Sequence, residues 1–174
     1  MQASLVAAGR VDIHRRLGIA GFLLACLMIL VGVLAATDSL ARAHVRPGFD
    51  PQTFYIIPIT DMLSFSVLIF FAFRARFNPA AHNRLIIVAT AALLVAAIAR
   101  WPFSPVLGKP YIAALFTNIF LLLLVFYDLW SARKIHRATL WASVFLIFVQ
   151  QIRQPISHTV AWHSFAAWAQ HLHL

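Results

Sequence analysis

Between Leu85 and Ala99 the chain carries no charge, and Thr90 is its only polar residue. The hydrocarbon core of a bilayer is about 30 Å thick and takes roughly 20 helical residues to cross. The flanks supply what this run lacks. Arg84 and Arg100 can extend their stems outward to water, and Trp101 suits the interface. Apolar runs with basic residues at their ends recur along the chain. Spans are expected at 17–36, 53–73, 85–100, 111–130 and 138–153. The expected fold is all-α: five transmembrane helices in one domain covering 1–174. Residues 156–174, with Trp162, Phe165, Trp168 and Leu172, are expected to form an amphipathic helix lying in the interface, or a partly inserted sixth segment.

Composition agrees with that reading. Of the 174 residues 62% are hydrophobic and 11% are charged, against about 25% charged in a soluble domain. Too few charges are present to cover a surface in water, so the lipid bilayer is the natural solvent. A formal charge of +9 suits nucleic acid only if it lies on one polar face. Here the basic residues sit in short clusters at the ends of apolar runs, which is a topology pattern and argues against a nucleic-acid partner. Cys26 is alone, so no intramolecular disulfide can form. The preponderance of Arg over Lys, with abundant Ala, suits a GC-rich bacterial genome.

Arg10, His14, Arg15 and Arg16 precede the first run. An uncleaved span is expected there, because the apolar part, about 20 residues, exceeds the roughly 7–15 of a signal peptide. Lys and Arg number three in this leader, three in the connection after the second span and three in that after the fourth. The opposite side holds two, two and one. By the positive-inside rule the N-terminus is cytoplasmic, the C-terminus periplasmic, and the location a bacterial inner membrane.

The second and third spans read as a copy of the fourth and fifth. Thr60-Asp61 matches Thr117-Asn118, Arg76 matches Arg133, His82 matches His136, and Arg100-Trp101-Pro102 matches Arg153-Gln154-Pro155. Both hairpins start from the same side, which implies a parallel internal repeat about an axis along the membrane normal.

Polar residues inside apolar runs mark the candidate site. A charge at the bilayer centre costs at least about 2.5–3.5 kcal/mol, so Asp61 should face the bundle interior with a partner. Arg100 is the expected partner. Asn118, Gln150, Arg153, Thr60 and Thr117 complete a polar ligand-binding site in the outer third of the bundle, with Ser64 adding a hydroxyl. Gln150, Arg153 and Gln154 share one helix face. Two readings stand beside each other, a site for a small polar or anionic solute or a proton, and polar contacts that only hold helices together. A second cluster, His14, His82, His136 and Asp128, has metal-ligand chemistry. Against this, basic residues at helix starts set topology and bind lipid phosphate, and Asp128 is expected to pair with Arg133 or His136. No His lies inside an apolar run, which counts against haem as a cofactor.

His14-Arg15-Arg16-Leu17-Gly18, Asp61-Met62-Leu63, His82-Asn83-Arg84-Leu85 and Ala97-Ile98-Ala99-Arg100-Trp101-Pro102 resemble motifs of a family of small uncharacterised multi-pass bacterial membrane proteins. The resemblance spans nearly the whole chain and implies no activity. His14-x-x-x-Gly18 is also similar to a feature of small membrane proteins linked to haem and terminal-oxidase assembly. The functions expected are therefore a binding or transport protein, oligomeric as many such bundles are, a redox or assembly protein carrying haem, quinone or metal, or a non-catalytic structural or sensory protein.

Overall fold

The computed structural model describes residues 11–45, 48–100 and 110–171, with 11–15, 110 and 111 as backbone alone. Six helices follow in order: α1 (Val11–Ala41), α2 (Pro51–Arg74), α3 (Pro79–Ala99), α4 (Pro110–Ala132), α5 (Arg137–Ser157) and α6 (Val160–Gln170). No strand occurs among the described residues. Trp101 and the proline-rich connection after it lie outside them.

The helix ends follow from local chemistry that hydropathy does not register. Asp50 caps α2, accepting from the Thr53 N–H at 2.7 Å and its hydroxyl at 2.6 Å, and Pro51 follows at a position that needs no N–H donor. The Thr53 hydroxyl, opposed by slight burial and aided by the Thr53 N–H, holds the Asp50 carboxyl below the ordinary carboxylate range. The cap is therefore intact at neutral pH and is lost only as pH falls through that lowered value. Asn78 and Pro79 start α3 in the same way, six residues before the expected span at Leu85. At the end of α1, Ala43 takes the left-handed region at φ 49°, and its N–H reaches Leu40 O at 3.0 Å.

The bundle is built around α3. Val88, Ala89, Ala91, Ala92 and Val95 are at most 2% exposed, and α2, α4 and α5 all pack on this helix. Small side chains let the backbones approach closely, so dispersion contacts can hold helices together in lipid. Phe65 and Leu68 of α2, Leu121 and Leu124 of α4, and Ala142 and Leu146 of α5 close over these alanines. On α1, Gly32 makes room for the Met62 thioether of α2, which a Cβ there would strike. The large apolar side chains point the other way. Leu23, Leu24 and Leu27 on α1 and Leu122, Leu123 and Phe126 on α4 are each more than half exposed. A patch of that extent is not sustained in water but suits lipid.

Among the described residues four helices are long and apolar enough to cross a membrane: residues 16–41 within α1, then α2, α3 and 112–132 within α4. Helix α5 is as long as α3, at 21 residues, but less apolar. Its buried face is Thr139, Ala142, Ser143, Leu146, Gln150, Arg153 and Ser157, spaced by three or four residues with one adjacent pair. Its exposed face is Leu140, Trp141, Val144, Ile147, Phe148, Ile152 and Ile156. Thr139, Ser143, Gln150 and Arg153 are turned in and these large apolar side chains out, unlike a helix on a soluble protein, although Gln151 and Gln154 toward the end of α5 are also exposed.

Helix α6 folds back on the near ends of α1 and α2. Ala166 and Ala169 are buried against Ala36, Leu40 and Tyr55. The Trp162 indole N–H donates to Gln52 O at 2.8 Å, and the His163 ring lies 3.0 Å from Gln52 Oε1. The tail is thus docked on the bundle by its small-residue face, while Val160 and Trp168 stay exposed.

The hairpins α2–α3 and α4–α5 are in step. Arg74 and Ala132, Pro79 and Arg137, and Ala99 and Ser157 are each 58 residues apart. The residues matched in the sequence occupy different places on those helices. His136 caps α5 whereas His82 lies within the first turn of α3, and Arg100 caps the end of α3 whereas Arg153 lies inside α5.

Candidate functional site

Asp61 lies ten residues past Pro51, about 15 Å along α2 at 1.5 Å per residue, near the middle of that helix rather than in its outer third. Its Oδ1 accepts a hydrogen bond from Arg153 Nη1 at 2.9 Å, and the two side chains are only 6% and 3% exposed. The expected partner, Arg100, is not involved. It is exposed at the end of α3 and donates to Ala96 O of its own helix at 2.9 Å. The cause is register: Arg153 sits four residues inside the end of α5 on the buried face, and Arg100 sits beyond the last residue of α3.

A buried ion pair repays its desolvation only if the remaining donors and acceptors are also satisfied. Here they are not. Asp61 Oδ2 and Arg153 Nε are buried with no hydrogen-bond partner among the described residues, as are Ser64 Oγ, Asn118 Oδ1, Ser143 Oγ and Gln150 Nε2. Ser64 is one turn from Asp61 on α2, and Gln150 is one turn from Arg153 on α5. These helices pack antiparallel, so both lie on the same side of the ion pair, toward the α2–α3 and α4–α5 turns. The other expected members differ. The Thr60 hydroxyl donates to Ile56 O at 2.7 Å and that of Thr117 to Ala113 O at 2.5 Å, so each is engaged within its own helix. Gln154 is exposed. Asn118 belongs to α4, which packs on α3 and α5 and not on α2, so the structure does not bring it onto a helix facing Asp61. Ser143 is not among the expected members, although its spacing of seven from Gln150 places it on the same face.

Asp128, at the turn end of α4, makes the opposite case. It is fully buried, and both its oxygens are engaged. Oδ1 accepts from Arg84 Nε at 2.9 Å and Nη2 at 2.5 Å, while Oδ2 accepts from the Thr139 hydroxyl at 2.6 Å and the His136 N–H at 3.0 Å. Arg84 completes its own set on Ala80 O at 2.8 Å. One carboxylate ties α3, the end of α4 and the start of α5. The expected pairing with Arg133 is corrected: the cation is Arg84 of α3, and His136 contributes its backbone N–H.

The described residues contain no group of three or more His, Cys, Asp or Glu placed to hold a metal ion. His82 Nδ1 is 2.8 Å from Ala72 O, and His136 Nδ1 accepts the Ala138 N–H as the α5 cap. Both rings are turned to backbone, and Asp128 has no oxygen to spare. The His14 side chain lies outside the described residues. Elsewhere, an apolar recess of about 440 Å³ opens between α1, α2 and α6, lined by Val33, Ile59, Leu63 and Phe165. Its side-chain hydroxyls are engaged, the Tyr55 hydroxyl lying 3.0 Å from Thr37 Oγ1 and that of Ser66 donating to Leu63 O at 2.8 Å.

Among the described residues the architecture is all-helical, with helices long and apolar enough to cross a membrane and a half-satisfied ion pair buried between α2 and α5. No protein-family model, curated protein or solved structure matches the chain.

Proposed function

We propose that this is a five-span protein of the bacterial inner membrane that binds a small anion together with a proton at Asp61 and Arg153. The observation that carries it is the unequal treatment of two buried carboxylates: Asp128 has every contact filled, whereas Asp61 Oδ2 and Arg153 Nε have none. The pair is net neutral. An anion binding to Arg153 alone leaves a net negative charge in a low-dielectric interior, which is costly. If Asp61 takes up a proton as the anion arrives, Arg153 pairs with the anion and the site stays neutral. Gln150 Nε2 and Ser64 Oγ then offer hydrogen bonds to the ligand. Arg153 on α5 is the charged group that meets Asp61. Toward α2, α1 presents apolar side chains and Thr37, which is hydrogen-bonded to Tyr55, and α3 presents apolar side chains and His82, which meets Ala72 O near the far end of α2. His163 of α6 is engaged with Gln52 near the start of α2.

The test is stabilisation of the detergent-solubilised protein by acetate, as a small anion probe, across pH 5–8 at constant ionic strength. Uptake of one proton per anion makes acetate affinity rise about tenfold for each unit of falling pH while Asp61 is ionised. Asp61→Asn, which imitates the protonated acid, should bind acetate without pH dependence, and Arg153→Leu should not bind it. Acetate binding that ignores pH in the unaltered protein, or survives Arg153→Leu, would sink this reading.

The fifth span is supported by the outward row of large apolar side chains on α5, Leu140, Trp141, Val144, Ile147 and Phe148, opposite its buried polar groups. Duplication of a hairpin is supported by the common 58-residue step of the helix ends. With five spans and the basic turns inside, the N-terminus is cytoplasmic and the C-terminus periplasmic. Reporter fusions after Ala80 and Ser131 should score cytoplasmic and one after Leu174 periplasmic. A cytoplasmic score at Leu174 would mean an even number of spans or the reverse orientation.

A further inference from the structure

The buried face of α5 carries polar side chains well beyond the ion pair. From Arg153 it runs through Gln150, Leu146 and Ser143 to Thr139, whose hydroxyl donates to Asp128. Fourteen residues of helix make this line about 21 Å long, so it joins the mid-bundle carboxylate to the carboxylate at the turn end. Gln150 Nε2 and Ser64 Oγ on one side of Leu146, and Ser143 Oγ on the other, are buried without partners. Buried polar groups of this kind are ordinarily met by water, which needs two to four such partners. Leu146, 2% exposed, interrupts the file, and Leu68 and Phe65 of α2, 2% and 5% exposed, belong to the same apolar cluster.

We propose that this seam is a proton path between Asp61 and the turn end of the bundle, with Leu146 as its apolar plug. It rests on the reading that Asp61 exchanges a proton. The O–H bond of the Asp61 carboxyl breaks as a water beside Gln150 and Ser64 takes the proton, and Asp61 returns to its pair with Arg153. The proton moves on by exchange between waters, each forming one O–H bond and breaking another, with no change of oxidation state. Past Leu146 it follows Ser143 and Thr139 and leaves to bulk water beside His136, which is half-buried. Passage requires the plug to hydrate, so the bundle does not short-circuit the membrane at rest.

The experiment is proton flux into proteoliposomes carrying an internal pH dye, driven by a potassium diffusion potential. Leu146→Asn should raise flux by about tenfold or more, since it puts a hydrogen-bonding side chain at the apolar step between Gln150 and Ser143. Leu146→Met should leave it unchanged. Adding Asp61→Leu to Leu146→Asn should return flux to the level of the unaltered protein. A second measurement does not depend on Leu146→Asn folding. Ser143→Cys, in a Cys26→Ser background, should react with a small membrane-impermeant thiol reagent supplied from the turn side. A folded Leu146→Asn protein without extra flux, or an unreactive Cys at position 143, overturns the path. Either result leaves the pH dependence of acetate binding untouched, so the path and the binding reading fail separately.

Discussion

Replacing Asp61 by alanine should lower stability by about 3–5 kcal/mol, the range for removing one partner of a buried ion pair. Arg153, 3% exposed, is left with an uncompensated charge and a second unsatisfied nitrogen. For a chain of this size each kcal/mol moves the melting temperature by roughly 2–4 °C, so a shift of roughly 10 °C in detergent is expected. The double change Asp61→Leu with Arg153→Met should recover most of the loss, because two apolar side chains of similar volume replace a pair whose desolvation was never fully offset. Arg100→Leu should change stability by no more than about 0.5 kcal/mol, as for an ordinary exposed site. Thermal unfolding of these variants, with Asp61→Leu and Arg153→Met also measured singly, decides the matter. Additive losses at positions 61 and 153, or a large loss at position 100, would show that the ion pair is wrongly drawn.

Asp128→Ala should be at least as damaging, but its loss should resist the same rescue. Removing that carboxylate strands the Arg84 guanidinium, the Thr139 hydroxyl and the His136 N–H together. Adding Arg84→Leu removes the unpaired charge and should recover part of the loss. The Thr139 and His136 donors stay buried or half-buried without an acceptor, each costing about 1–3 kcal/mol. A deficit of about 2 kcal/mol or more should therefore remain in the double variant, measured by the same unfolding assay. Complete recovery would mean that α4 and α5 are not held together through Asp128. The contrast separates the two carboxylates by role: one can be replaced by well-packed apolar groups as far as folding is concerned, the other organises three helices.

The sites themselves were only partly legible from the chain. Burial of Asp61 followed from the cost of a charge within an apolar run, and the shared face of Gln150 and Arg153 followed from helical spacing. The partner did not follow. Arg100 and Arg153 stand in the same Arg-x-Pro context, and only the helix ends show that one lies past its helix and the other inside. Asp128 posed the same problem. Arg133 and His136 are near in sequence, but Arg84, 44 residues away, is brought to it by the packing of α3 on α4. Ser143 stands on the Gln150 face, but a lone serine in an apolar run is ordinary and carries no signal of its own.

What the chain determined by itself is what depends on averages along it: helical structure, apolar helices able to cross a membrane, and breaks at Asp50-Pro51, Asn78-Pro79 and Pro110. Hydropathy and capping act over one helix or a few residues, so they survive without any knowledge of neighbours. The tertiary structure decided the direction each polar side chain faces and the cation each carboxylate meets. It also decided why α5 looks too polar for lipid although its outer face is Leu140, Trp141, Val144, Ile147 and Phe148. Those outcomes depend on rotation about a helix axis and on register between helices far apart in sequence. A one-residue shift turns a side chain by about 100° at 3.6 residues per turn, enough to move an arginine from the interior to the surface.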